Sequence, residues 1–502
     1  MDWLYARARA TPQKLALIID EQRWTYAELD RLVEGLAQHL AGTGVTPGQM
    51  VAVLMPNNLA YVCLVHALAR LQAVLVPLNT RQTVPELAWQ LEHAGCRWLL
   101  HTAETAKAAT ELASNDCTVI EIGDWRLEIN DEYPISNLQS PTSNPQSIVF
   151  TSGTSGRPKG VMLTFTNHFY SATASAFRLG VDTNDCWLSC LPLYHVGGLA
   201  VILRSCLYGT AVVLHQGFDV DAINHSLDSH AITLVSLVPT MLYRLLPTRD
   251  SWPASLRLIL LGGAAAAPDL IEQANALPVD NSQYIIHNST IPHPVVAPTY
   301  GLTEAASQVA TMLPADAIRK PGSAGRPLLF TSVRIVNEAG QELPAGAYGE
   351  VVVSGPTVMR GYFNNPEATA KTLHDGELYT GDIGYLDEDG DLWLVQRRSD
   401  VIVSGGENVY PAEVEGALKQ HPAVAAVCVV GVPHPEWVQQ VAAMVVLHEG
   451  LSLTETELLT FGREHLAGYK LPRVVRFVKS LPQTASGKIA RQAVTEMFEH
   501  RI

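Results

Sequence analysis

The chain is predicted to be an α/β protein, with a large N-terminal domain of layered α/β sheets plus a β-rich subdomain, and a small α+β C-terminal domain. Three observations predict this. Helical and strand patterns alternate through the first half, as they do where helices cover a mostly parallel sheet. Between Ser332 and Val395 the texture changes to short strands parted by turn clusters. After Arg397-Arg-Ser-Asp400 a compact run of helices and strands begins, about 100 residues long, an ordinary domain size. At 502 residues the chain is too long for one core. The division is drawn at 1–396, with its β-rich part at about 325–396, a junction at 397–400, and 401–502.

The elements follow in order. Thr25-x-x-Glu28 is a capping box opening a helix whose Leu29, Leu32, Val33, Leu36 and Leu40 share one face. Met50–Met55 reads as a short buried strand, Leu59–Leu71 as a helix, and Ala73–Pro77 and Trp98–Leu100 continue the alternation. Residues 125–145 are polar and proline-bearing, a loop leading to the apolar run Ser147–Phe150. Gly197–Leu214 is the most apolar stretch. Arg204 and its glycines make it a poor membrane span and a good buried core element. In the β-rich part, Val333–Val336, Gly349–Ser354 and Leu392–Val395 are strands, with turns at Asn337–Gly340 and Asp387–Gly390. The acidic cluster Asp387–Asp391 is read as a solvated hairpin turn, not a metal site. The C-terminal part has a helix from Pro411, strands near 424–432 and 441–447, a helix near 454–466 and a strand at 474–478.

Composition narrows the function. A net charge of -15 argues against nucleic-acid partners and a polybasic membrane anchor, both of which want a basic face. The N-terminus lacks a basic stretch followed by an apolar one, so no signal peptide is visible. Seven cysteines without a C-x-x-C pair, mostly among apolar neighbours, read as reduced buried thiols of a cytoplasmic protein, with zinc ligation disfavoured.

Thr151-Ser-Gly-Thr-Ser-Gly-Arg-Pro-Lys-Gly160 suits a loop whose backbone N–H groups close around phosphate oxygens, with Lys159 adding a mobile charge. It is not the kinase and GTPase P-loop, because Pro158 precedes the lysine and Gly160 follows it. As a lone feature it could equally be a flexible connector. Five further segments bear on it. His195 is expected at the end of an apolar strand, before the pair Gly197-Gly198. Tyr300-Gly-Leu-Thr-Glu304 offers an aromatic, a tight turn and a carboxylate. Asp382 lies between two glycines in Tyr379–Tyr385. Arg397 stands at the junction, and Lys488 near the C-terminus. Singly, each has a bland alternative. Glu304 could be a helix N-terminal carboxylate, Asp382 a turn support and Lys488 a solvated surface lysine.

Together and in this order, the six segments resemble the adenylate-forming superfamily of acyl- and aryl-CoA synthetases, over nearly the whole chain. The resemblance implies a two-step reaction on a small-molecule carboxylic acid with ATP, Mg²⁺ and coenzyme A. It also implies the site. Thr151, Ser152, Gly153, Thr154, Ser155, Gly156 and Lys159 would hold the β- and γ-phosphates, and Glu304 would bind Mg²⁺. Gly262, Gly263, Ala264 and Tyr300 would sandwich adenine, with Gly301 and Thr303 beside them. Asp382 would accept from the ribose hydroxyls, with Arg397 nearby. Lys488 would be the catalytic cation between the carboxylate and the α-phosphate, with His195 the second catalytic residue. Ser399 and Asp400 would form the hinge of a mobile C-terminal domain, and Ser404–Asn408 would face inward for thioester formation. A homodimer is compatible with all of this.

Arg204 bears on which acid is activated. A buried arginine needs a partner: an internal carboxylate or helix-end carbonyls on one reading, a second carboxylate of the substrate on the other. The stretches Trp187–Leu199, Leu214–Phe218 and Gln396–Val414 resemble the o-succinylbenzoate–CoA ligase branch, which serves menaquinone or phylloquinone synthesis. That branch implies an aromatic dicarboxylate activated on its succinyl arm, with Arg204 on the benzoate carboxylate and His195 and Ser307 lining the pocket. Departures from the family pattern are an insertion at Asn281–Pro292, Val438-Gln439 in place of Gly-Glu, and Gln396 in place of glycine. The alternatives are another aryl- or fatty-acyl-CoA ligase, which would not require Arg204, and a catalytically silent binding homologue.

Overall fold

A computed structural model describes residues 2–114, 116–123, 145–151, 158–279, 295–397, 401–482 and 489–499. The insertion at 281–292 lies outside them. The chain divides into two compact units. The first comprises residues 1–80, 91–149 and 160–395, the second residues 81–90, 150–159 and 396–502.

Two sheets carry the α/β layers of the first unit. One has nine strands, in the order Arg326–Pro327, Ser307–Thr311, Val296–Leu302, Leu258–Leu261, Leu234–Leu237, Cys186–Ser189, Ala211–Leu214, Leu15–Ile19 and Gln22–Thr25. Its middle is parallel, with Leu261 opposite Pro298 and Leu237 opposite Leu261. Runs such as Leu258-Ile-Leu-Leu261 are buried throughout, because helices on both faces leave no side for polar residues. The second sheet has seven strands, in the order Gly361–Tyr362, Lys159–Thr164, Pro145–Thr151, Val74–Pro77, Met50–Leu54, Trp98–His101 and Thr118–Glu121.

Helix Tyr26–Gly42 starts at a complete capping box: the Thr25 hydroxyl accepts from Glu28 N–H while the Glu28 carboxylate accepts from Thr25 N–H at 2.8 Å. Leu29, Leu32, Val33, Leu36 and Leu40 are all buried and pack with Val51 and Val53 of the seven-stranded sheet. The apolar stretch from 197 to 214 is not one element but two. Helix Val196–Tyr208 stops at Gly209, whose left-handed φ of 73° ends it, and strand Ala211–Leu214 follows. No helix among the described residues is long and apolar enough to cross a membrane.

The β-rich part is a third sheet, Ser332–Val336, Gly349–Ser354, Glu377–Leu386 and Leu373–His374, with Leu392–Arg397 also paired to Glu377–Leu386. Its acidic turn is less solvated than expected. Lys320 Nζ reaches Asp387 at 2.8 Å, Asp389 at 2.7 Å and Asp391 at 2.5 Å, and Asp391 is buried. One ammonium neutralises much of a cluster that would otherwise repel itself.

The second unit is built on the sheet Glu407–Val409, Ile402–Ser404, Val438–Leu447 and Val424–His434, with Val474–Phe477 parallel to Val438–Leu447. Helices Pro411–Leu418 and Glu455–Arg463 cover it, burying Val414, Leu418 and Leu458 against Val429, Val441 and Val445. All seven cysteines are buried, with free thiols.

Candidate active site

In open α/β sheets, ligands bind beyond the carboxyl ends of the strands. In the first unit these ends gather several of the expected residues. Strand Leu258–Leu261 runs out at Gly262, beside Thr299 of the parallel neighbour. A Cβ at Gly262 would lie 2.6 Å from Thr299 Cγ2, so any side chain there would force the strands apart. Gly263 turns with φ 81°. One residue past Thr299, buried Tyr300 donates its hydroxyl to Asp382 Oδ2 at 2.6 Å. Asp382 comes from strand Glu377–Leu386 and is aimed by what precedes it. Gly381 adopts φ 73° and donates its N–H to Glu350 at 3.0 Å, and Asp382 N–H bonds the Thr380 hydroxyl at 3.1 Å.

Beyond Tyr300, Gly301 packs so closely that a Cβ would lie 1.8 Å from the Ser307 carbonyl oxygen. Thr303–Ala305 form a single 3₁₀ turn. Glu304 sits in it and accepts from Tyr362 Oη at 2.9 Å, while its backbone carbonyl accepts from Met359 N–H at 2.8 Å. Ala306 and Ser307 both have positive φ, 53° and 99°. Consecutive non-glycine residues in that region carry strain, which proteins retain chiefly at functional sites.

Arg204 lies on helix Val196–Tyr208 and is 2% exposed. Its nearest polar partner is the Ser171 hydroxyl, 3.5 Å from Nη2, at the limit of a hydrogen bond, and its Nε has none. No carboxylate pairs with it among the described residues. Burial accordingly pulls the guanidinium below its ordinary pKa. Ser171 donates to the Ala306 carbonyl at 2.6 Å, which connects the arginine to the Ala306-Ser307 turn. His168 bonds Ser147 Oγ at 3.0 Å through Nε2. Burial and then the charge of Arg204 push its pKa down to about 4, so the ring is neutral at pH 7.

His195 is not at a strand end. Strand Cys186–Ser189 stops earlier, and His195 is the N-cap residue of helix Val196–Tyr208. Pro192 cannot extend the strand's hydrogen bonding, and the chain turns as His195 N–H bonds the Pro192 carbonyl at 3.1 Å. Gly198 lets the new helix close on that turn, for a Cβ there would be 2.3 Å from Pro192 O. The His195 ring lies edge-on to Tyr194, centroids 4.8 Å apart.

Other residues are brought to the site that the sequence motifs do not single out. Asn57 pins the turn before His195, accepting from Leu193 N–H at 2.8 Å and donating to the carbonyls of Leu191 and His215 at 2.9 and 3.1 Å. Tyr362, Ser171 and His168 belong with it. Only the Asn-rich Pro56-Asn57-Asn58 turn after an apolar strand hinted at any of them.

In the second unit, Thr151 ends strand Pro145–Thr151 and Lys159 begins strand Lys159–Thr164. Ser152, Gly153, Thr154, Ser155 and Gly156 between them lie outside the described residues, as do Ser399, Asp400 and Lys488. Arg397 closes strand Leu392–Arg397, its side chain likewise outside.

Residues 4–363 match the family model described as AMP-binding enzyme, and residues 413–488 the AMP-binding enzyme C-terminal domain. A 2-succinylbenzoate–CoA ligase of Bacillus cereus is 39% identical over 500 residues, covering 99% of this chain and 98% of the relative. Among solved structures, a double mutant of o-succinylbenzoate CoA synthetase from Bacillus subtilis, bound with its product analogue OSB-NCoA, matches with a TM-score of 0.89 and 37% identity. It covers 99% of this chain and 98% of that one. The same enzyme in complex with the acyl-adenylate intermediate OSB-AMP matches with a TM-score of 0.73 and 37% identity, covering 98% and 97%.

Proposed function

The chain belongs to the AMP-binding enzyme family, and from that premise we propose that it is an acid–thiol ligase converting o-succinylbenzoate to its CoA thioester. In the first step a carboxylate oxygen attacks the α-phosphorus of ATP. The bond from that phosphorus to the bridging oxygen breaks, and pyrophosphate leaves. In the second the thiol sulfur of CoA attacks the acyl carbon, the acyl C–O bond to AMP breaks, and the thiol proton is lost.

The chain's residues take these parts. Thr151 to Gly156 and Lys159 hold the β- and γ-phosphates. Gly262, Gly263, Ala264 and Tyr300 hold adenine, with Gly301 and Thr303 shaping the turn. Asp382 accepts from the ribose hydroxyls; its bond from Tyr300 supports this, since it fixes the carboxylate beside the base-binding strand. Arg397 assists it. Lys488 sits between the attacking carboxylate and the α-phosphate, cancelling their repulsion. His195 and Ser307 line the acid pocket, Ser399 and Asp400 are the hinge, and buried thiols suit a cytoplasmic enzyme. Glu304 would hold Mg²⁺ by its carboxylate, the kind of protein ligand this ion takes alongside substrate phosphates and waters. The metal would neutralise phosphate charge there.

The observation that carries the choice of acid is Arg204. A cation 2% exposed with an unbonded Nε is costly unless an anion joins it, and the aromatic carboxylate of o-succinylbenzoate is such an anion. The test is pyrophosphate release with o-succinylbenzoate against 4-oxo-4-phenylbutanoate, the same molecule without the ring carboxylate. The diacid should win by about a hundredfold or more, and Arg204→Met should remove most of that preference. Robust turnover of the monoacid with none of the diacid would instead make this a different aryl- or fatty-acyl-CoA ligase.

A further inference from the structure

Helix Trp3–Ala10 is anchored at both of its ends. Asp2 caps it, accepting from Tyr5 N–H at 3.0 Å, and the other oxygen of the same carboxylate meets Arg70 Nε at 2.5 Å. Arg70 is buried and also holds Asp30 and, at 2.8 Å, Glu34. Leu4 and Ala8, one turn apart, are buried in the same cluster as Leu199, Leu203 and Cys206. The Trp3 ring stands edge-on to Phe165, centroids 6.0 Å apart. The short helix therefore rests on the two helices that carry Arg204 and its neighbours. These are Phe165–Leu179, with His168 and Ser171, and Val196–Tyr208, with Arg204 itself.

Arg7 closes the far end of helix Val196–Tyr208. The last four carbonyls of a helix have no partner within it, and here three of them are taken by side chains. Arg7 Nε donates to Cys206 O at 3.0 Å and Nη2 to Leu207 O. Buried Tyr26 Oη lies 2.8 Å from Ser205 O and 2.7 Å from Thr210 O. A cation at this end also complements the negative pole of the helix dipole. The guanidinium packs so closely that a Cβ at Gly209 would meet Nη1 at 2.7 Å and Cζ at 2.8 Å. Glycine is required at 209 both for its φ of 73° and for this approach. Arg204 lies within one turn of the clamped carbonyls. Among the described residues its side chain has one polar contact, 3.5 Å from Ser171, and its Nε is unbonded. Its place is therefore inherited from its helix.

We propose that Arg7 is a positioning residue for recognition of the acid. It holds the C-terminal end of helix Val196–Tyr208, and so fixes where the Arg204 guanidinium meets the second carboxylate of the substrate. It acts through the helix, not on the substrate. The proposal rests on the reading of Arg204 as the partner of an aromatic carboxylate, and adds what sets that arginine in place.

The experiment measures pyrophosphate release by the full-length enzyme with o-succinylbenzoate and with 4-oxo-4-phenylbutanoate. Arg7→Met keeps the apolar stem and removes the donors, so the preference for the diacid, as a ratio of kcat/KM values, should fall about tenfold. The loss should appear as a higher KM for the diacid, with kcat, the monoacid kinetics and KM for ATP within about twofold of the wild type. Arg7→Lys keeps the charge without the fork and should lose only about threefold. If Arg7→Met yields no folded protein, Arg7→Lys decides alone. In an Arg204→Met background, Arg7→Met should shift the preference by less than about twofold, since the arginine it positions is gone. Equal losses on both acids, losses that multiply in the double variant, or an unchanged preference in the folded variants would make Arg7 a structural cap only and overturn the proposal. If the wild-type enzyme shows no preference for the diacid, the reading of Arg204 fails first and this proposal falls with it.

Discussion

Tyr300 and Asp382, 82 positions apart, share a buried hydrogen bond of 2.6 Å, and they come from strands of two different sheets. The tyrosine hydroxyl satisfies one carboxylate oxygen of Asp382, so the aspartate cannot rotate away to water. On the proposed role of Asp382 as acceptor for the two ribose hydroxyls, removing it costs charged hydrogen bonds. Asp382→Ala should therefore raise KM for ATP at least about tenfold, and Tyr300→Phe, which loses only the orienting bond, about threefold. Isothermal titration with ATP checks both. An unchanged ATP affinity in Asp382→Ala would remove the ribose role.

Lys488 is proposed as the catalytic cation of the first half-reaction. A cation placed between two approaching anions matters while they approach and not afterwards. Lys488→Ala should slow adenylate formation about a hundredfold or more, whereas thioester formation from supplied adenylate should be nearly unaffected. Single-turnover measurement of each half-reaction decides it, and an equal loss in both would show that the lysine does something else.

How far the sequence could be read depended on the separation of the partners. The Thr25–Glu28 capping box, the apolar face of Leu29, Val33 and Leu36, and strands such as Met50–Leu54 are local patterns, and the structure has them. The α/β class follows from those local patterns. Arg204 could be singled out by its apolar neighbours, but not its environment. Ser171 is 33 residues from Arg204 and Ala306 is 135 from Ser171, and no local rule connects them. The apolar residues before His195 suggest a strand end. The turn that moves it to a helix N-cap depends on a close approach of Gly198 to Pro192. Gly301 looks like any turn glycine until the Ser307 carbonyl is found where its side chain would be.

Two buried histidines set a pH dependence of stability. Burial pushes both His66 and His168 down to about 4 from the ordinary 6.5, in His66 partly opposed by Asp2 and in His168 helped by Arg204. Between those values the unfolded chain binds protons that the folded chain refuses. Folding stability should then fall as pH drops from 6.5 towards 4, by up to about 3 kcal/mol per histidine. Urea midpoints at pH 7.5 and 5 measure this. His168→Gln, which can still bond Ser147, should remove about half of the loss; a loss of the same size would mean that His168 does not contribute to it.

Lys470 offers the sharpest test of a buried charge. It is 1% exposed, with Nζ 2.5 Å from Glu86 and 2.7 Å from Glu413, while Glu413 Oε2 has no partner. Burial raises the Glu413 pKa even with the lysine beside it, and the two glutamates outweigh burial to raise that of Lys470. Lys470→Met would leave two carboxylates facing each other out of water, at a cost of about 3–5 kcal/mol near pH 7.5. The sign with pH is opposite to that of the histidines. Without its counter-charge Glu413 binds a proton more readily folded than unfolded, so the deficit against the wild-type protein should shrink as pH falls to 5. Replacing both Lys470 and Glu413 with Met should recover more than half of the loss, because the penalty lies in the unpaired charge and not in the missing lysine. A deficit equal at pH 7.5 and 5 would place the cost in packing, and the pair of carboxylates would then be innocent.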